Sequence, residues 1–267
     1  MGNITKGKVI NVKNSQIINI LESYAPKYMA EDFDNVGLLI GDASREAESV
    51  MLCLDVDEFV AEEAVKKGVG LIVSHHPIMF SPIKKITADT SEGRCILKLI
   101  ENNIALYSAH TNLDAVKGGL NDLMCEILGI DDAAVLAKSE GDFGIGRVGM
   151  LSESVTLREL AEKIKVLFSL ESVRFSGNED RKIERVALCS GGGSSMVYDA
   201  VAAGADVYIS GDLKYNNVRD LVFSGVGFIE IPHYKSEIFA PKLFEKILDG
   251  YVKTYISECN VDIFNNI

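Results

Sequence analysis

Short apolar runs alternate along the chain with segments in which apolar positions recur every three or four residues. In the stretch after Ser15, Ile17, Ile18, Ile20 and Leu21 repeat at helical spacing, with Ser15 as the expected N-cap. Residues 36–40 read as a strand behind the polar pair Asp34-Asn35, and residues 50–56 as another. A helix is expected over 58–67, closed by Gly68. The run Val69, Leu71, Ile72, Val73 then ends abruptly in Ser74-His75-His76-Pro77, where Pro77 stops the strand. Strand, helix, strand in that order implies a parallel crossover. Its carboxyl edge is where open α/β sheets bind ligands. A helix over 94–102, a strand over 104–108 and a helix over 121–128 follow. Residues 131–147 break the pattern with acids and glycines and are expected to be a linker.

The second half answers to the first. Cys53, Gly68 and Ser74 align with Cys189, Gly204 and Ser210 at one constant offset. His110 and Asp114 align with His233 and Glu237 at a second, shorter one. The helical pattern 156–168 echoes that of 15–25. An ordered set of matches with a single gap indicates a duplicated unit. The expected architecture is α/β and internally duplicated, with mixed sheets flanked by helices. The expected division is a first lobe over 1–130, the linker over 131–147, and a second lobe over 148–267. The segment bearing His233 and Glu237 would close a site between the lobes.

Composition narrows the function classes. A net charge of −12 argues against direct nucleic-acid binding, although a bound cation can still recruit a nucleotide. The five cysteines are scattered without a CxxC pair, which fits free thiols of a reducing cytoplasm. The N-terminal residues show no apolar leader, and no run reaches membrane-spanning length.

All four histidines, His75, His76, His110 and His233, close an apolar run. In His110-x-x-x-Asp114 and His233-x-x-x-Glu237 a carboxylate follows four residues on, one helical turn away or within one tight turn. Imidazole and carboxylate donors suit zinc, iron or manganese. A single catalytic zinc needs about three protein ligands. A pool of five or six fits two ions roughly 3.5–4 Å apart. Blander readings stand beside this one. His110 could bond locally to Asp114, support a ligand or act as an acid–base group, and Glu237 could be a solvated helix-start acid. Asp34 and Asn35 could simply cap a turn. In SGGGSS (190–195) the glycines could cradle a phosphate or make a tight strand-to-helix connection. Asp212 stands where the first half has His76, and is expected to lie away from the ions or to meet them only through water.

The motifs DNVGLLIGD, SHHP, SAHTNLDAVKGGLND, GIGRVGML, SGDLKY and HYKSE, in that order, span nearly the whole chain. Together they resemble the Ngg-interacting-factor-three-like family, whose bacterial members are named GTP cyclohydrolase type 1, type 2 homologues. The resemblance implies two similar intertwined lobes, a centre of two divalent metal ions per chain, and a toroidal homohexamer. Its ligands would be His75, His76, Asp114, His233 and Glu237, with His110 lining the site without being a standard ligand; in the enzyme reading His110 is the candidate catalytic proton shuttle. It also implies a hydrolase opening the ring of a nucleotide base or cyclic amide. The alternative is a non-catalytic metal-handling or regulatory interaction protein. The chain departs from the family pattern at Phe33, where tryptophan is usual, at Asn216, where histidine is common, and at Pro232, usually glycine. The expected linker leaves no room for the ferredoxin-like domain that longer members insert.

Overall fold

A computed structural model describes residues 11–139 and 141–265. The expectation of no apolar leader concerns residues 1–10, which lie outside the described residues. Two compact units emerge. One comprises the chain up to Leu113 together with Phe239–Val261, and the other Asp114–Ile238 with the chain from Asp262.

The first unit opens with β1 (Val12–Lys13) and α1 (Asn14–Tyr24), followed by β2 (Gly37–Ile40), β3 (Glu46–Ala47) and β4 (Ser49–Cys53). Ser15 lies inside α1 and does not cap it. The cap position is Lys13, whose N–H donates to the Gln16 side chain. Next come α2 (Glu58–Lys67), β5 (Leu71–Ser74), α3 (Ser91–Glu101) and β6 (Ala105–Ser108). β4, β5 and β6 run parallel, and β2 pairs antiparallel beyond β6. All three parallel strands are buried along their whole length. That is why they read as continuous apolar runs and not as alternating ones. The Asp57 carboxylate caps α2 by accepting from Phe59 and Val60 N–H, and Gly68 (φ 66°) ends it in the left-handed conformation. Val60, Ala61 and Ala64 of α2 pack with Cys95, Ile96 and Leu99 of α3 in one cluster with Met51, Ile72 and Leu106 of the sheet.

The division between the units falls within α4 (Thr111–Ala115). The second unit continues with α5 (Leu120–Leu128), β7 (Ile130–Lys138), β8 (Gly144–Thr156), α6 (Leu157–Leu167), β9 (Phe175–Ser176) and β10 (Lys182–Gly192). It then runs through α7 (Val197–Ala202), β11 (Val207–Gly211), α8 (Tyr215–Phe223), β12 (Gly227–Glu230) and α9 (His233–Glu237). Its sheet has the order β7-β8-β10-β11-β12-β9. β10, β11 and β12 are parallel, and β9 pairs antiparallel beyond β12. The chain then returns to the first unit with α10 (Ala240–Leu248), which packs on β4, and β13 (Lys253–Ile256), parallel to β4.

Three consecutive parallel strands with an antiparallel neighbour beyond the third thus recur in the two larger sheets, β13 adding a fourth parallel strand to the first unit's sheet. Gly204 (φ 67°) closes the helical segment after β10 as Gly68 closes α2. The expected linker, however, is secondary structure. Residues 131–147 form most of the antiparallel hairpin β7–β8, with a bulge between Asp131 and Ala134. Asp131 and Asp132, two of the acids that suggested a loop, lie on an edge strand with an exposed outer face. The expected boundaries, 1–130 and 148–267, also differ from the two compact units, because residues 239–261 return to the first. Among the described residues, no helix is long and apolar enough to cross a membrane.

Candidate metal centre

In the first unit, His75 and His76 follow β5, and His110 follows the neighbouring parallel β6. Both strands therefore deliver imidazoles to one edge of the sheet. The turn after β5 is pinned through its backbone. His75 N–H donates to Cys53 C=O at 3.2 Å and His76 N–H to Leu54 C=O at 2.9 Å. The Ser74 hydroxyl donates to His76 C=O at 2.8 Å. The rings of His75, His76 and His110 form a triangle with centroids 5.2, 5.1 and 5.4 Å apart. One ring nitrogen from each lies within 4.8 Å of the others.

Each imidazole is oriented through Nδ1. His75 is fully buried, and its Nδ1 lies 2.9 Å from Ala109 C=O. A carbonyl only accepts, so Nδ1 carries a proton and Nε2 is the nitrogen left to hold a metal. His76 Nδ1 lies 2.7 Å from Asp55 Oδ1, and His110 Nδ1 lies 2.9 Å from Asp34 Oδ1. Burial pushes the Asp34 carboxyl up, but the hydrogen bond and charge of His110, with the Thr111 hydroxyl and N–H, outweigh it and hold the group at about 2.

That depression has a consequence for stability. A group whose pKa falls on folding stabilises the fold above its unfolded value, here 3.8, and loses that effect as pH drops through the folded value of about 2. The shift corresponds to about 2 kcal/mol at 1.36 kcal/mol per unit. Urea unfolding in the presence of a chelator is expected to find Asp34→Asn less stable than the parent by about that amount at pH 6. The gap should narrow between pH 4 and pH 2. A gap independent of pH would show that the carboxylate charge contributes nothing.

In the second unit, His233 opens α9 immediately after β12. Its Nδ1 lies 2.7 Å from Asp212 Oδ2, and its Nε2 lies 2.9 Å from Glu237 Oε2. The four-residue spacing thus does place the pair on one helical face. Glu237 is almost completely buried, and Asp114 nearly so. Burial raises the pKa of the Cys189 thiol, and the charges of Asp114 and Glu237 raise it further, so both carboxylates lie near that sulfur. Asn121 ties the backbone of Asp114 to the start of the glycine loop. Its amide donates to Asp114 C=O at 3.2 Å and its carbonyl accepts from Ser190 N–H at 2.9 Å.

The glycine loop has a steric role here. A Cβ on Gly191 (φ 59°) would sit 2.1 Å from Glu237 Oε1 and 3.2 Å from His233 Nε2. Gly191 N–H is taken by the Ser236 hydroxyl at 2.9 Å and Gly193 N–H by Ser210 at 3.0 Å. Those two groups are therefore not offered to a phosphate. The loop lets backbone approach the carboxylate, as expected of a tight connection.

Sequence reasoning missed the orienting carboxylates. Asp34 looked like a turn cap, and Asp55 fell within the strand expected over 50–56. Asp212 was expected to lie away from the ions or to meet them only through water, and its hold on His233 was not foreseen; it arises because β11 and β12 are adjacent and parallel and open on the same edge. A signal was present. Asp55 to His76 and Asp212 to His233 span the same 21 residues. Each pair crosses from the end of one parallel strand to the end of the next.

The donor chemistry fits divalent metal ions. Oriented imidazoles that present Nε2, backed by carboxylates or a carbonyl at Nδ1, are the usual arrangement around such ions. Fold and donor set together define an α/β protein with histidine–carboxylate groups able to hold metal. The chain belongs to the Duf34/NIF3 (NGG1p interacting factor 3) family, matched over residues 12–265. A Clostridium acetobutylicum protein named GTP cyclohydrolase 1 type 2 homolog is 40% identical, over 90% of this chain and 91% of its own. One of the same name from Clostridium perfringens is 40% identical over 96% and 100%. The crystal structure of a Bacillus cereus protein related to NIF3 superposes with a TM-score of 0.89 at 26% identity, covering 98% of this chain and 100% of that one.

Proposed function

We propose that this chain binds two divalent ions, zinc, iron or manganese, and hydrolyses the ring of a nucleotide base or cyclic amide. His75, His76, Asp114, His233 and Glu237 would be the ligands and His110 the acid–base group. The observation that carries the reading is the common state of the imidazoles, each held at Nδ1 by an oxygen acceptor. That engagement supports Nε2 as the ligating atom of His75, His76 and His233, and as the proton-accepting atom of His110. Bound ions supply Lewis acidity and activate water at neutral pH. His110 differs from the others in its partner. Asp34 stays anionic at neutral pH and stabilises the imidazolium that forms when His110 takes a proton at Nε2. A histidine so paired can accept a proton from water and pass it to a leaving nitrogen. The names of the relatives at 40% identity support ring hydrolysis as the reaction class. The buried cysteines Cys53, Cys95, Cys125 and Cys189 support a reducing, cytoplasmic setting. A ring-shaped homohexamer is part of the same proposal.

The test is metal analysis after reconstitution, followed by assay of formate release from GTP and of cyclic amide opening. Close to two ions per chain are expected, in particles of about six chains by light scattering. His110→Ala should keep the metal and lose turnover. One ion or fewer would overturn the dinuclear assignment. Full metal loading without turnover of any ring substrate would leave a metal-handling protein in place of an enzyme.

A further inference from the structure

A cleft of about 510 Å³ opens beside His76 in the first unit, a size typical of small-molecule sites, roughly 300–1,000 Å³. It lies past the carboxyl ends of β4 and β5, with Asp55 and His76 at one side. Phe80 and Ile83 supply an apolar wall, and Cys95 and Glu92 of α3 complete the lining used here. Phe80 is half exposed, and its ring is edge-on to His110 with centroids 6.2 Å apart. The exposed Phe33 ring lies 6.1 Å from Phe80. A planar ligand stacked on Phe80 would therefore sit against the imidazole cluster.

The charge of the cleft restricts what that ligand can be. Asp55, Asp57 and Glu92 line it, with no lysine or arginine among the described lining residues. Two helices begin here, and each is capped by a side chain. Asp57 accepts from Phe59 and Val60, and the Thr90 hydroxyl accepts from Gly93. Asp55 is committed to His76. The Glu92 side chain makes no hydrogen bond or ion pair among the described residues, so it can accept from a ligand.

We propose that this cleft binds an uncharged, amino-substituted heterocycle, as a free base or nucleoside. The ring stacks on Phe80 and donates N–H bonds to Glu92, and a triphosphate is disfavoured. The proposal rests on the ring-hydrolase reading for its place in a reaction, but it concerns binding and does not need the metal. Isothermal titration with guanosine, inosine and GTP, on protein with and without chelator, tests it. In the metal-free protein guanosine is expected to bind at least tenfold more tightly than GTP. It should also bind more tightly than inosine, which lacks the exocyclic amine. Phe80→Ala should weaken guanosine at least tenfold with an unchanged melting temperature. Glu92→Gln should erase the preference over inosine, and Glu92→Lys should raise GTP affinity. Equal affinity for GTP and guanosine, no binding of guanosine, or indifference to both Phe80→Ala and Glu92→Gln would overturn it. Metal content measured on the same samples separates the two readings. Two ions per chain without guanosine binding sinks the cleft alone, and guanosine binding with one ion or fewer sinks the dinuclear centre alone.

Discussion

Arg147→Met is expected to cost about 3–5 kcal/mol of stability, the range for breaking a buried ion pair by removing one partner. Arg147 is 3% exposed and every guanidinium nitrogen is used. Nε and Nη2 grip the Asp122 carboxylate at 2.8 and 2.9 Å. Nη1 donates to Gly144 C=O and Gly146 C=O at 2.9 and 2.8 Å. Nη2 also reaches Val116 C=O at 3.0 Å and Ala115 C=O at 3.3 Å. Methionine fills much of the volume but leaves a carboxylate and these carbonyls without their donor. The clamp ties β8 to the start of α5, the helix that carries Asn121 and through it positions Asp114 and Ser190. Lowered urea and thermal midpoints should therefore come with weaker metal retention. Lysine, a point charge without the planar fork, should restore only part of the loss. A change below about 1 kcal/mol would mean that water replaces the guanidinium at little cost, against the usual penalty for buried polar groups left unpaired.

The parallel strands were legible because burial on both faces leaves a distinct mark, an unbroken apolar run ended by a turn residue. The histidines were legible for a related reason. Each stands at the point where such a run stops, and in a parallel sheet those points share an edge. The hairpin β7–β8 was not legible. An edge strand exposed on its outer face is built from residues that also make linkers, and Asp131 and Asp132 carry no signal that separates the two. Asp34, Asp55 and Asp212 were hidden differently. A carboxylate that orients an imidazole needs no neighbouring motif, only a position on the adjacent strand, and that adjacency is a property of the sheet. Gly191 is a similar case. Its glycine identity fitted a phosphate cradle or a tight connection alike, and the approach of the Glu237 carboxylate, which leaves no room for a side chain there, could not be read from it.

Loss of metal is the largest effect expected, and its gradation across four variants tests how the centre is supported. His233→Ala and Glu237→Ala each remove a donor from the second unit, and each should take at least one ion per chain from the reconstituted protein. Asp212→Ala should fall between these and the parent, weakening metal affinity by about 10- to 100-fold, the usual cost of deleting the partner of a ligating histidine. The carboxylate at 2.7 Å fixes the His233 ring and its tautomer, and alanine leaves both free. Asp55→Ala should show a loss of the same size at His76, since the pair has the same length and crosses between strands in the same way. Asparagine at either position keeps an oxygen acceptor and should retain more affinity than alanine. Competition with a chromogenic chelator reads all of these on one scale. If Asp212→Ala and Asp55→Ala both hold metal as tightly as the parent, the imidazoles are fixed by packing alone and the carboxylates have no part in the centre. If Asp212→Ala strips metal as fully as Glu237→Ala, Asp212 is itself a ligand and His233 only its neighbour.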